Sequence, residues 1–306
     1  MKTSKLKAWF ILSRPPFHTV GILPFILGAV LAWSTTGYLD WAVLAWGLLA
    51  VVFIMLATYY AGEYFDYDTD KLSAKLERNP FSGGTQVLQT GIIPRKHAFM
   101  AAVLSLLAAG AIGLLLQFHY KTGLFTIPLG AVGMFAGFFY TTKPIQWSYR
   151  GLGEILIGFC YGWLPVAASY YIQTGKISPL VHWISLPIAF TIFNVILINE
   201  FPDYPADREF RKKNLVVRFG KERMSRLYVL MSAATWVSFI HAVRAGLSLK
   251  ALILFSPIFI LSLLTSFQVL KSQYNVRQRL EKICAKTLVV NLGTTLSLIL
   301  TVWLWL

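Results

Sequence analysis

Residues 41–70 read WAVLAWGLLAVVFIMLATYYAGEYFDYDTD, an apolar run that ends in the pattern Glu63-x-x-Asp66-x-x-x-Asp70. The apolar part is about as long as a helix that crosses a bilayer, which needs roughly 17–25 residues. On a helix, residues at offsets 0, 3 and 7 lie on one face, so the pattern predicts a row of three carboxylates. Ionisable groups are costly in an apolar segment unless they serve a site.

The same spacing recurs at the end of a later apolar run, as Glu200-x-x-Asp203-x-x-x-Asp207. Two facing rows of carboxylates would repel each other unless cations lie between them. Mg²⁺ prefers oxygen ligands, keeps several waters and commonly shares its shell with phosphate oxygens. Acidic groups at a helix end can also mark only the membrane boundary. The repeated spacing, followed each time by basic residues, favours a site for a phosphate-bearing substrate at a membrane surface.

The composition supports a membrane protein. Of 306 residues, 56% are hydrophobic and 13% are charged, with a mean hydropathy of +0.60, whereas a soluble domain carries about 25% charged residues. The sequence predicts an all-α, polytopic membrane protein of one domain, 1–306, whose helices surround a central cavity with cytoplasmic cap loops. Nine transmembrane helices are expected, at about 16–35, 40–62, 96–118, 122–141, 152–173, 180–201, 227–245, 249–270 and 284–306.

The basic residues predict the orientation of these helices. Of the 28 lysines and arginines, 24 fall in alternate connecting segments on one side and four on the other. The positive-inside rule then places the N-terminus in the cytoplasm and the C-terminus outside the cell (inner) membrane. The net charge of +15 therefore belongs to the cytoplasmic face, where it suits anionic lipids and anionic substrates. Nothing in the sequence indicates a nucleic-acid partner.

Each acidic pattern is followed closely by basic residues, which could bind the phosphate oxygens that a metal leaves free. Other motifs lie in the connecting segments. They are Ser13-Arg14-Pro15, Tyr140-Thr141-x-x-Pro144, Tyr149-Arg150-Gly151-Leu152-Gly153-Glu154 and Val216-Val217-Arg218-Phe219-Gly220.

With these motifs the chain resembles the UbiA superfamily of intramembrane aromatic prenyltransferases. The superfamily motif Asn-Asp-x-x-Asp-x-x-x-Asp is matched by residues 62–70 and, in its second form, by residues 199–207. The other motifs are similar to those of the 1,4-dihydroxy-2-naphthoate prenyltransferases of menaquinone synthesis. The chain departs from the family at Gly62, where Asn is usual, and at Glu63 and Glu200, where Asp or Asn is expected.

The resemblance implies Mg²⁺-dependent transfer of an isoprenoid chain from a prenyl diphosphate to an aromatic acceptor, in quinone biosynthesis. It implies two Mg²⁺ ions bound with the diphosphate, and, for a dihydroxynaphthoate acceptor, loss of CO₂. The implied metal ligands are Glu63, Asp66, Asp70, Asn199, Glu200, Asp203 and Asp207. The implied diphosphate-binding residues are Lys143, Arg208, Arg211 and Lys212. Tyr140, with the nearby aromatic residues Phe138, Phe139 and Trp147, could stabilise an allylic cation. The residues expected to take part in catalysis are Asp66, Asp70, Asp203, Asp207, Tyr140 and Lys143.

The acceptor is less well defined by the sequence. We expect Arg150 or Glu154 to contact its polar edge, although Arg150 could simply pair with Glu154 four residues later. 4-Hydroxybenzoate, homogentisate, a porphyrin and a glycerol phosphate lipid are alternative acceptors. An ion-coupled transporter is a different class of function, but its acidic residues would lie near the middle of interrupted helices.

Overall fold

The computed structural model describes residues 4–76 and 80–306, and this part of the chain is helical and contains no strand. Eight of its helices are long and apolar enough to cross a membrane. The chain is therefore an all-α, multi-pass membrane protein, as the sequence predicts. In chain order the helices are α1 (Lys5–Leu12), α2 (Pro15–Thr36), α3 (Trp41–Phe65), α4 (Tyr67–Ser73), α5 (Arg95–His119), α6 (Thr126–Phe138), α7 (Gly153–Thr174), α8 (Pro179–Glu209), α9 (Leu215–Arg244), α10 (Ala251–Leu270) and α11 (Arg277–Trp305).

The fourth predicted span, 122–141, is shorter than expected. Its helix, α6, has 13 residues and is about 20 Å long at 1.5 Å per residue, whereas the hydrocarbon layer is about 30 Å thick. The apolar residues on either side of α6 form turns, and Gly123 has a φ of 110°. The count of nine spans is not confirmed, while the other eight predicted spans each coincide with a long helix.

The two longest segments between predicted spans contain helix as well as loop: α4 lies in the first, and the end of α8 and the start of α9 lie in the second. Helix α8 continues through Pro202 and Pro205 and carries the whole second acidic motif. The first motif is divided, because α3 ends at Phe65 and Asp66 lies at the junction with α4. The expectation of one continuous helical row is thus correct for the second motif and wrong for the first.

Close packing between helices depends on small residues. A Cβ added to Gly28 of α2 would lie 2.8 Å from Cβ of Ser169 in α7, and one added to Gly162 of α7 would lie 2.6 Å from Cα of Ala189 in α8. Small residues are the usual means of helix association in membranes, where apolar surface alone gives little driving force. Helices α2, α7 and α8 are therefore held together closely, and together with the end of α3 they enclose a pocket that is lined by residues of both acidic motifs.

Candidate active site

Acidic residues of both motifs line one pocket of about 230 Å³, here called the acidic pocket. It lies between the ends of α2, α3, α7 and α8 and is covered by residues 81–84 of the loop after α4. The two motifs, which lie far apart in the sequence, therefore meet in space. The lining residues that carry side-chain oxygens of carboxyl or amide groups are Asp66, Asp70, Asn199, Glu200, Asp203 and Asp207.

The two aspartates of the first motif differ in their partners. Asp66 Oδ1 accepts a hydrogen bond of 2.8 Å from the Tyr149 hydroxyl. The Asp70 carboxylate packs against Gly84, at which an added Cβ would lie 2.6 Å from Asp70 Cγ. No hydrogen bond to this carboxylate is present among the described residues. Burial raises the pKa of Asp70 well above its usual range, and the charges of Asp66 and Glu63 raise it further.

The aspartates of the second motif are held from several sides. The Asp203 carboxylate accepts hydrogen bonds from the Ser73 hydroxyl and, at 3.0 Å, from the Gly83 backbone N–H. Asp207 Oδ2 accepts one of 2.7 Å from the Asn214 side-chain amide. Asp203 thereby fastens α4 and the covering loop to α8, which fixes the position of one motif relative to the other.

Lys212 lies between the two motifs. Its Nζ atom is 3.6 Å from Asp66 Oδ2 and 3.7 Å from Asp207 Oδ1, and it lies 5.6 Å from the centre of the Tyr149 ring. Burial by itself would lower the pKa of Lys212, but the charges of Asp207 and Asp66 hold it well above its ordinary value. Lys212 is thus a fixed positive charge that lines the pocket, where the sequence predicts a diphosphate-binding lysine.

Glu63 has protein partners that the sequence analysis does not predict. Its Oε1 atom is 2.6 Å from Arg14 Nη2 and accepts a 2.8 Å hydrogen bond from the Thr85 backbone N–H. Its Oε2 accepts one of 2.8 Å from the Thr85 hydroxyl. Arg14 itself lines the acidic pocket, whereas Glu63 does not. The metal-binding role of Glu63 stays a prediction, and its observed contacts fix Arg14 and the covering loop.

The two residues expected to contact the acceptor do not line the acidic pocket. Arg150 is exposed and donates a 3.1 Å hydrogen bond to the Pro144 carbonyl. Glu154 is fully buried, and its Oε1 accepts a 2.6 Å hydrogen bond from the Leu215 backbone N–H. Among the described residues these two side chains form no ion pair with each other. Their acceptor contacts stay predictions without support from the pocket geometry.

Other predicted residues divide into two groups. Tyr140 lines the acidic pocket together with Thr141. The remaining predicted cations are exposed and lie outside its lining: Lys143, Arg208 and Arg211. The aromatic residues Phe138, Phe139 and Trp147 also lie outside it. The diphosphate-binding and cation-stabilising roles of these residues are not tested by the structure and stay predictions.

Two tyrosines that line the acidic pocket are absent from the predictions. Tyr59 lies four residues before Glu63, so the helical period places it on the same face of α3. This spacing could have been used to predict that Tyr59 lines the pocket. Tyr161 lies within a π-helical turn of α7, Phe159–Trp163. A π-turn cannot be foreseen from residue spacing, although such turns frequently occur at functional sites.

The residues of the acidic pocket fit a hard divalent cation. Within the part of the chain that the structure describes, buried oxygens at Asn199 (Oδ1) and Glu200 (Oε2) have no hydrogen-bond partner, and no donor contacts the Asp70 carboxylate. Within residues 4–76 and 80–306, no three His, Cys, Asp or Glu side chains meet closely enough to hold a metal alone. Mg²⁺ does not require such a cage, because it commonly binds through one or two carboxylates, waters and substrate phosphates.

A second cavity, of about 630 Å³ and lined mainly by apolar residues, adjoins the acidic pocket and is here called the apolar cavity. Thr58 and Tyr161 line both, so the two spaces are neighbours. The cavity extends between α5 and α6, where Gly110 and Gly133 belong to its wall. Leu107, also in its wall, is 65% exposed. In a membrane-spanning helix this exposed leucine faces lipid, so the cavity lies next to the bilayer interior.

In this multi-pass helical protein, a buried acidic pocket beside an apolar cavity is an arrangement that suits an enzyme acting on a molecule with a charged head and an apolar tail. The model of the UbiA prenyltransferase family matches residues 22–305. The chain belongs to this family and is a prenyltransferase.

The chain is similar to named prenyltransferases in sequence and to a solved UbiA homologue in fold. The chain is 28% identical over 237 residues to a 1,4-dihydroxy-2-naphthoate octaprenyltransferase of Bacillus subtilis, covering 77% of this chain and 73% of the relative. It is 27% identical over 224 residues to a 2-carboxy-1,4-naphthoquinone phytyltransferase of Synechocystis, covering 73% and 70%. A UbiA homologue from Archaeoglobus fulgidus, solved with GPP and Mg²⁺, has the same fold with a TM-score of 0.67 and 16% identity, covering 95% of this chain and 99% of that chain.

Proposed function

We propose that this prenyltransferase transfers a long isoprenoid chain from its allylic diphosphate to 1,4-dihydroxy-2-naphthoate, with Mg²⁺, in quinone biosynthesis. The observation that carries the proposal is the contact between the acidic pocket and the apolar cavity at Thr58 and Tyr161. A charged head and an apolar tail joined at one carbon require two such neighbouring spaces. The names of the relatives support the naphthoate acceptor.

In the proposed reaction, the C–O bond of the allylic diphosphate breaks and its electron pair leaves with the diphosphate. The acceptor ring carbon forms the new C–C bond, and the carboxylate on that carbon leaves as CO₂. A divalent cation, when bound, neutralises charge on the leaving diphosphate, and the two acidic motifs would hold it. Lys212 supplies a further positive charge at the same place. The buried pocket also limits access of water, which would otherwise react with the allylic cation.

The proposal is tested with purified protein in liposomes, a radiolabelled polyprenyl diphosphate and a panel of acceptors. 1,4-Dihydroxy-2-naphthoate should be prenylated at least tenfold faster than 4-hydroxybenzoate, about 1.4 kcal/mol of discrimination. EDTA should abolish transfer and Mg²⁺ should restore it. A preference for 4-hydroxybenzoate would refute the acceptor, and transfer that persists in EDTA would refute the metal requirement.

Two aspartates of the same segment allow a test of the acidic pocket with a matched control. Asp66 lines the acidic pocket, whereas Asp68 is exposed and does not. Asp66→Asn should lower kcat/KM at least 100-fold, about 2.7 kcal/mol of transition-state stabilisation, and Asp68→Asn should change it less than twofold. Equal effects of the two substitutions would show that the pocket is not the reaction site.

A further inference from the structure

A third space opens onto the acidic pocket on the side of α1. It is a groove of about 310 Å³, here called the entrance groove, between α1, the start of α2 and the loop that covers the acidic pocket. Five of its lining residues also line the acidic pocket: Arg14, Phe17, Phe81, Ser82 and Gly84. The groove and the pocket are therefore continuous.

Helix α2 and the residue before it border all three spaces in sequence order. Arg14 and Phe17 line the entrance groove and the acidic pocket, Val20 lines the acidic pocket, and Gly21 and Phe25 line the apolar cavity. At 1.5 Å per residue, the four residue steps from Phe17 to Gly21 span about 6 Å. The groove and the apolar cavity thus approach the acidic pocket from opposite ends of one short stretch of helix.

The chemistry of the entrance groove differs from that of the apolar cavity. Its walls include the rings of Phe10, Phe17 and Phe81, and its charged lining residue is Arg14. Arg14 uses Nε and Nη2 to bind Glu63, and no hydrogen bond in the described part of the chain uses Nη1. Aromatic walls suit a flat ring, and a guanidinium group suits a carboxylate. The volume is near the lower limit of small-molecule pockets, about 300 Å³.

We infer that the entrance groove is the binding site of the aromatic acceptor, with Arg14 facing the acceptor's carboxylate. This inference rests on the proposed function. The isoprenoid tail then lies in the apolar cavity and the acceptor ring reaches the acidic pocket from the groove, so the two reacting carbons meet beside Phe17 and Val20. The acceptor does not have to pass the tail, and each substrate has its own side of entry.

The first test measures the Michaelis constants of the two substrates separately. Ile11 lines the groove and does not line the acidic pocket, so Ile11→Trp should raise KM for 1,4-dihydroxy-2-naphthoate at least fivefold and leave KM for the prenyl diphosphate unchanged. Leu6→Trp is the control on the same helix, because Leu6 is 84% exposed and lies outside the groove. Leu107→Trp, in the wall of the apolar cavity, should have the reverse effect and raise KM for the prenyl diphosphate.

The second test is binding without turnover. Equilibrium dialysis with 1-hydroxy-2-naphthoate and 1-naphthol compares ligands with and without the carboxylate. The native protein should bind the naphthoate at least tenfold more tightly, and Arg14→Gln should reduce this ratio to below threefold. Ile11→Trp should weaken the binding of both ligands, which keeps the test decisive even if Arg14→Gln fails to fold.

The outcomes separate this inference from the proposed function. If prenyl transfer occurs but Ile11→Trp raises KM for the prenyl diphosphate only, the groove admits the prenyl substrate and the inference is wrong. If Ile11→Trp and Leu6→Trp act alike on both constants, the groove binds neither substrate. If no acceptor is prenylated by the native protein, the proposed function fails, while the dialysis ratio still decides whether the groove recognises an aromatic carboxylate.

Discussion

The substitution Gly84→Ala tests whether Asp70 must keep its observed position in the acidic pocket. Gly84 has a φ of 63°, and a Cβ there would lie 2.6 Å from Asp70 Cγ. Since ordinary contact begins at 3.4 Å, the carboxyl group would have to move by 0.8 Å or more. A misplacement of about 1 Å at a reacting centre can cost about 100-fold in rate.

The same loop contains a matched control for the backbone strain. Gly91 has a φ of 74°, and a Cβ there would meet nothing within 4 Å. Alanine in the left-handed region costs roughly 1–2 kcal/mol at either position. Gly84→Ala and Gly91→Ala should therefore lower the free energy of unfolding by similar amounts, while only Gly84→Ala displaces Asp70.

The assay compares kcat/KM for prenyl transfer with thermal stability in detergent for the native protein and both variants. We expect Gly91→Ala to keep kcat/KM within twofold and Gly84→Ala to lose between 10- and 100-fold. Equal activity of the two variants at equal stability would refute the reasoning, because it would show that the Asp70 carboxylate can move without loss of function.

Three further predictions concern charge, the family motif and topology. Lys212→Met should lower kcat/KM at least 100-fold, because it leaves Asp66 and Asp207 without their shared cation, whereas Met at the neighbouring exposed Lys213 should change it less than twofold. Gly62→Asn should be tolerated and gain a few tenths of a kcal/mol in the unfolding free energy, since a Cβ at Gly62 meets its nearest atom at 3.8 Å; a large loss of thermal stability would contradict this. Cysteines placed at exposed Lys71 and Lys176, in a protein without native cysteines, should react with impermeant reagents from the cytoplasmic and the outer side, respectively; labelling of both from one side, or from the reversed sides, would refute the predicted orientation.

The sequence predicts the membrane fold well because length and composition largely decide whether a helix crosses a bilayer. It does not locate the ends of helices as well. Residues 122–125 are partly apolar but form a turn before α6. Pro202 and Pro205 suggest a loop, yet α8 continues through both. Local composition therefore overestimates the length of α6 and places the end of α8 too early, because tertiary packing decides both boundaries.

The sequence also predicts that the two acidic motifs belong to one site, because their equal spacing can be recognised from each motif locally. It does not predict their partners, because these depend on contacts between distant residues. Arg14 and Glu63 are 49 residues apart in the sequence. Asp203 and Ser73, which share a hydrogen bond, are 130 apart. Of the basic residues predicted because they follow the second acidic motif, Lys212 lines the pocket, whereas Arg208 and Arg211 lie outside it.

The contacts of Glu63 also explain how the covering loop can serve both the acidic pocket and the entrance groove. Glu63 holds Arg14 on one side and both the backbone and the hydroxyl of Thr85 on the other. Arg14 lies at the inner end of the groove, and Thr85 follows the Gly83–Gly84 turn that packs against the aspartates. A shorter aspartate would have one methylene less with which to reach both partners. The glutamate that departs from the family motif therefore connects the start of α2 with the loop, and through them links the groove to the acidic pocket.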